Sequence, residues 1–310
     1  MSRVYVVGAA IPNGGTFMAY HLGHILQTSF GFSPFAVQVK NETWDHGKHV
    51  YPSTFPLVSI AQMESMIRSE DVLIANPSFS PHMFGLRLPG KKICYAQGFS
   101  TFTTLDARFD LYVSVSGFVR DYLAGTYGLQ TQVIPPFLEP HGLESPKPWK
   151  ERPSGKVLSY LKGPIARVFY ERLQEIIGSD VDLSDVVGGN SLPRRELLSR
   201  IAASRYLLSL SPAEGFGLVP VEAMSLGTVV CGFDGFGGRE YFRNMGNGAV
   251  SAYPDIEGVA RQLLAIVEDE NLAESISRNG HETAREFSYE KFRGAWTGVI
   301  AQLLGTAELP

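Results

Sequence analysis

The sequence predicts an α/β protein made of two doubly wound parallel-sheet domains, and three observations carry that expectation. The chain has 310 residues with 44% hydrophobic content, enough for two compact domains of about 150 residues each. Short apolar runs alternate with longer helical patterns through both halves, as strands joined by crossover helices would. Between the halves, the segment Pro135–Ser154 carries Pro135, Pro136, Pro140, Pro146, Pro148 and Pro153 and breaks the alternation. It reads as an interdomain linker, so the expected domains are 1–150, linker included, and 151–310.

In the first half, strands are expected at Arg3–Val7, Phe35–Val39, Asp71–Ala75, Lys92–Ala96, Leu111–Val115 and Gln132–Ile134, with helices near Thr16–Gln27, Ala61–Arg68 and Gly117–Thr126. The alternation restarts with a strand at Lys156–Tyr160 and a helix at Ile165–Ile177. Strands follow near Val181–Val187, Tyr206–Leu210 and Thr228–Gly232, with helices after Pro193, Gly217, Ile256 and Ser288. No close repeat or low-complexity tract interrupts this order.

Composition excludes several classes. Mean hydropathy is near zero, and the sequence has no apolar run of about 18 residues that would cross a membrane. The start Met1-Ser2-Arg3 leads straight into a strand rather than a signal peptide. Cys94 and Cys231 are the two cysteines, both in apolar strand-like runs, so a cytoplasmic, soluble, reduced protein is expected. Residues 1–150 carry 11 Lys/Arg against 10 Asp/Glu, and residues 151–310 carry 16 against 21, which leaves no broad basic face for nucleic acid.

The chemistry concentrates in the stretch 211–227, which begins Ser211-Pro212-Ala213-Glu214-Gly215-Phe216-Gly217-Leu218 and ends at Gly227. Val219, Val221, Ala223, Met224 and Leu226 leave almost no polar face, so this helix is expected to be buried. Pro220 fits only in a first turn, where amides have no intrahelical partner. The helix therefore starts at about Gly217, and the free amides and positive dipole end of that turn face Gly215-Phe216-Gly217, a seat for phosphate or diphosphate. A buried Glu222 is costly unless hydroxyls, backbone donors or a cation satisfy it. Either glutamate alone could be an ordinary ion-pair partner, but two of them bracketing Gly-Phe-Gly point to a site.

Glu214 and Glu222 reproduce the E-x7-E signature, and on these residues the chain resembles the retaining glycosyltransferases of GT-B fold, most closely glycosyltransferase family 4. The resemblance extends to Glu222-Ala223-Met224 followed by Gly227, to Thr228-Val229-Val230-Cys231-Gly232 and to Gly237-Gly238-Arg239-Glu240-Tyr241. It implies two Rossmann-like domains facing across a cleft, with the last helix crossing back to the N-terminal domain. It also implies metal-independent transfer of a hexosyl or deoxyhexosyl group from a nucleoside-diphosphate sugar to an acceptor hydroxyl with retention, without a cofactor.

By the same resemblance Glu222 holds the ribose diol, Glu214 the sugar hydroxyls, and the Gly217 and Leu218 amides, with Lys162 and Arg167, the diphosphate. Gly215 and Phe216 complete the donor loop. Family members usually place an arginine and then a lysine at the first helix of the second domain; here the order is Lys162 then Arg167. The loop Gly8–Gly15 lacks the G-x-G-x-x-G fingerprint, but its Gly14-Gly15 pair matches the pair that meets the donor diphosphate in the family. Gln97 stands where many members carry His-Asp, and its amide offers donors and an acceptor to sugar hydroxyls without acting as a base. The loop Phe99-Ser100-Thr101-Phe102 and the aromatics of Phe79–Phe84 are candidate acceptor-side residues, or plain core.

Other features carry less. Asp180-Val181-Asp182 has a metal-binding D-x-D form but precedes a strand in the wrong context, and His21 and His24 lack carboxylate or thiol partners nearby. The acceptor stays open among a glycan, a lipid-linked sugar, a small molecule, a protein and a modified nucleobase, and peripheral membrane contact is compatible with the sequence. Two rival readings are a non-hydrolysing nucleotide-sugar epimerase, for which acid/base residues are missing, and a non-catalytic nucleotide-sugar or glycan-binding protein of the same fold.

Overall fold

The computed structural model describes residues 1–100, 102–139, 147–189 and 192–306; Thr101, Pro140 and Pro146, named above, lie outside them. The chain divides into two compact units, Met1–Pro136 with Tyr289–Pro310, and Phe137–Ser288.

The first unit opens with β1 (Arg3–Val7), α1 (Gly14–Phe30), β2 (Ser33–Gln38), β3 (Leu57–Ser59), α2 (Ile60–Met66) and β4 (Val72–Ala75). It continues with α3 (Phe84–Arg87), β5 (Lys91–Ala96), β6 (Leu111–Ser114), α4 (Gly117–Tyr127) and β7 (Gln132–Val133). The strands form one parallel seven-stranded sheet in the order β3-β2-β1-β4-β5-β6-β7. Its central strands are continuous apolar runs because helices cover both faces. The caps are local: the Asn13 side chain accepts from Thr16 N (3.0 Å) at the head of α1. Gly31, at φ 73°, closes the other end through Gly31 N to Gln27 O and Phe32 N to Leu26 O, the left-handed glycine cap. Ser59 and Gln62 form a capping box on α2.

The second unit contains β8 (Lys156–Leu161), α5 (Pro164–Ile177), β9 (Asp182–Gly188), α6 (Arg194–Ala203), β10 (Tyr206–Ser209) and α7 (Leu218–Ser225). It ends with β11 (Val229–Phe233), β12 (Ala249–Ser251), α8 (Ile256–Glu268) and α9 (Glu270–Ala284). Its parallel sheet runs β12-β11-β10-β8-β9. The chain leaves β8 toward β9 on one side and then returns to β10 on the other. The crevice beyond the carboxyl ends of β8 and β10 is therefore the switch point of the winding, where such sheets bind ligands. The Pro-rich segment is no bare connector, since Trp149 is 8% exposed in the core of this unit, edge-on to Tyr206 at 5.7 Å.

Helix α10 (Tyr289–Leu304) belongs to the first unit, where Trp296 is fully buried against Tyr95, ring centroids 5.0 Å apart. All ten expected strands match observed ones to within two residues at each end, whereas β3, β12, α3 and α9 are not among the expected elements. The two extra strands have three residues each, too few to show a period, and α9 buries mainly small side chains such as Ala273, Gly280 and Ala284, which blurs its apolar stripe.

Removing the Trp296 ring should cost about 3–5 kcal/mol, so Trp296→Ala is expected to lower the denaturant midpoint of unfolding. Gly125 lies exposed inside α4 with no atom near the position of a Cβ. Gly125→Ala is expected to raise stability by roughly 0.5–1 kcal/mol in the same assay.

Candidate active site

Two turns build the switch-point crevice of the second unit. The turn after β8 carries Lys162 and Gly163, and Gly163, at φ 84°, hands the chain to Pro164 at the head of α5. The turn after β10 runs from Ser211 to Gly217. Residues 162–165 and 211–214 line one concavity, and across it Lys162 Nζ lies 2.9 Å and 3.0 Å from the two Glu214 oxygens. The structure thus brings together two residues 52 positions apart. Their side chains are 52% and 21% exposed, so the pair itself adds little stability and can open for a ligand. Arg167 is exposed one turn into α5 and is not among the lining residues.

Gly217 caps α7 at φ 88°, a conformation that favours glycine, and among the described residues no side chain caps that helix. The Gly217 and Leu218 amides thus open at the helix's positive end. Phe216 differs from its expected donor-side role: its ring is 4% exposed and packs against Tyr241 and Phe287 at 5.2 Å and 5.1 Å. What this residue contributes to the loop is its backbone. Tyr241 OH donates to the Phe216 and Gly217 carbonyls, each at 3.1 Å. Burial, then Glu214 and Asp234, hold the Tyr241 phenol well above its usual range, which keeps it a donor.

A second loop clamps the first. Glu214 N donates to Gly235 O (2.8 Å) and Gly237 N to Glu214 O (3.1 Å). A Cβ on Gly237 would run into the Gly215 carbonyl, so Gly237 permits close backbone approach, whereas a Cβ on Gly238 would meet the Phe242 ring. Asp234 fixes this loop by accepting from Phe236 N (3.0 Å) and Arg239 Nε (2.7 Å), with the Arg239 guanidinium over the Phe236 ring.

Glu222 is 7% exposed, and its cation is Arg194, the first residue of α6, whose Nη2 donates to Oε1 at 2.6 Å. Arg194 Nη1 lies 3.1 Å from Glu139 Oε2. Neither partner was singled out in the sequence, because Arg194 reads as an ordinary helix start and Glu139 sits in the proline-rich segment. Tyr160, buried on β8, completes the surroundings. Burial, then the charges of Glu214 and Glu222, push its phenol up to about 12, so it remains protonated at neutral pH.

In the first unit Gly14 and Gly15 form the first turn of α1, and Gln97 Nε2 donates to Gly15 O at 2.6 Å. A Cβ on Gly15 would collide with the Gln97 amide oxygen, so the three residues do form one cluster. Phe79 and Phe84 are core, and Phe99 packs on Phe118 at 4.8 Å. Asp182 is the first residue of β9 rather than part of a loop before it, and accepts from Ser184 N (2.9 Å) within that strand. His21 is buried among Phe17, Tyr20 and Tyr289.

Arg194→Ala leaves the buried Glu222 without its cation and is expected to cost roughly 3–5 kcal/mol, read by chemical denaturation. Gly237→Ala, forced against backbone, should cost about 1–3 kcal/mol in the same measurement.

Residues 185–283, which hold Arg194, both glutamates and the clamping loop, match the model of the family described as glycosyl transferases group 1. The chain is 39% identical over 93 residues to N-acetyl-alpha-D-glucosaminyl L-malate synthase of Bacillus anthracis, covering 30% of this chain and 23% of that protein. It is 28% identical over 98 residues to poly(glycerol-phosphate) alpha-glucosyltransferase of Bacillus subtilis (strain 168), covering 31% of this chain and 15% of that protein. The matches thus span less than a quarter of either relative. The fold is similar over nearly the whole chain to Alr3699/HepE of Anabaena, solved in complex with UDP and glucose, with a TM-score of 0.71, 13% identity and coverage of 99% and 100% of the two chains. With two parallel α/β sheets of seven and five strands, the chain has the GT-B fold, and the part of its second unit that carries the two glutamates matches the glycosyl transferases group 1 family.

Proposed function

We propose that the chain transfers a hexosyl group from a nucleoside-diphosphate sugar, a UDP-hexose in the first instance, to an acceptor hydroxyl with retention and without a metal. The observation that carries this is the Lys162–Glu214 pair in the switch-point crevice, next to the head of α7, which no side chain of the described residues caps. The choice of UDP and of a hexose rests on the similar proteins: one is solved with UDP and glucose, and two are named for glucosyl or N-acetylglucosaminyl chemistry.

In this reading the diphosphate takes the Gly217 and Leu218 amides and displaces Glu214 from Lys162. The ammonium then neutralises charge that grows as the sugar–phosphate bond breaks, with Arg167 at the rim. Glu214, released, accepts from the sugar hydroxyls, and Glu222 accepts from the ribose diol. Gly14, Gly15 and Gln97 are assigned to the donor on the family resemblance. No side chain is assigned as a covalent nucleophile. The departing phosphate takes the acceptor proton while the new bond forms on the face that the leaving group vacates.

Two experiments test this. A thermal-shift panel of UDP, GDP, TDP, CDP and ADP in excess EDTA is expected to show a clear rise with UDP, since a ligand at about 100 times its dissociation constant adds about 2.7 kcal/mol. A shift that needs added divalent metal would overturn the metal-free reading. In single-turnover assays Lys162→Ala is expected to lower the transfer rate by roughly 10²–10³. Glu214→Gln should depress transfer more than binding and Glu222→Gln should weaken nucleotide binding; equal, negligible effects of the two would refute the division of roles.

A further inference from the structure

Arg194 serves two buried carboxylates with one guanidinium. The side chains of Arg194, Glu222 and Glu139 are 18%, 9% and 7% exposed, so all three are largely withdrawn from water. An arginine facing a single carboxylate commonly closes a two-point fork that occupies both oxygens. Here the fork is split: Nη2 goes to Glu222 Oε1 at 2.6 Å and Nη1 to Glu139 Oε2 at 3.1 Å. Glu222 therefore commits one oxygen, and its Oε2 takes no hydrogen bond from any of the described residues.

Glu139 is held for this task. Its neighbour Leu138 donates its amide to Phe287 O (2.9 Å), and the Phe287 ring packs on Phe216 and Tyr241. The aromatic block behind the glycine loop thus also fixes the segment that presents Glu139.

We propose that Glu139 and Arg194 are positioning residues: Glu139 draws off half of the Arg194 fork, so that Glu222 is neutralised yet keeps one oxygen for the two hydroxyls of the donor ribose. This rests on the donor reading above. Without Glu139 the guanidinium would turn onto Glu222 with both nitrogens and close the carboxylate to the ribose.

The test is calorimetric titration of the full chain with UDP and with 2′,3′-dideoxy-UDP. The wild type is expected to prefer UDP by about tenfold or more, the scale of hydrogen bonds to a charged group. Glu139→Gln, whose neutral oxygen holds the fork less strongly, should reduce that preference several-fold, and Glu139→Ala should bring it to within about twofold. A merely structural role would weaken both nucleotides alike, so an unchanged ratio in the variants overturns the proposal. Glu139→Gln, close to glutamate in shape, decides alone if the alanine variant does not fold. A wild type that binds both nucleotides equally overturns the ribose role of Glu222 and this inference while leaving nucleotide binding intact. A wild type that binds neither overturns the UDP reading and the inference with it.

Discussion

A carboxylate that is almost wholly buried at the centre of a helix must be neutralised or the unit that holds it is weakened by several kcal/mol. That constraint, imposed by Glu222 on α7, organises much of the second unit. It requires a cation at the head of α6, and the cation in turn brings in Glu139 from the segment that enters the unit. Helices α6 and α7 pack beside one another, so the pairing joins two crossovers of the sheet at the level where the ligand crevice opens.

The other half of the site obeys a backbone constraint. The Glu214–Gly217 loop has to present amides and a carboxylate at the head of α7, and it cannot do so by its own turn alone. It is clamped from one side by the Asp234–Tyr241 loop, through bonds to both the amide and the carbonyl of Glu214, and backed from the other by Phe216, Tyr241 and Phe287. Glycines stand where two backbones meet and at the helix cap, and the aromatic rings fill the space behind them. The result is a polar loop mounted on a dry support, which keeps Lys162 and Glu214 at ion-pair distance while their tips remain in water. A pair exposed to that degree is held weakly.

Winding order explains why these parts meet. In a parallel sheet every strand delivers its following loop to the same edge, and only where the winding reverses do adjacent loops part enough to admit a ligand. β8 and β10 are neighbours across that reversal. Lys162 follows β8 directly and Glu214 lies in the turn after β10, so the winding brings these distant positions to the same crevice, where their side chains pair.

The sequence by itself determined the class of fold, nearly all of the longer elements, the helix start at Gly217 and the burial of Glu222, because each is a local property: periodicity, a proline in a first turn, a charge in an apolar run. It also required that Glu222 have a partner. Only the tertiary structure decided which one, since Arg194 lies 28 positions away and Glu139 farther still, and nothing local to either marks it. The same holds for the inward turn of Phe216 and for the short edge strands, whose places are set by neighbours from other parts of the chain. Local chemistry can state that a buried charge must be balanced; packing alone chooses the group that balances it.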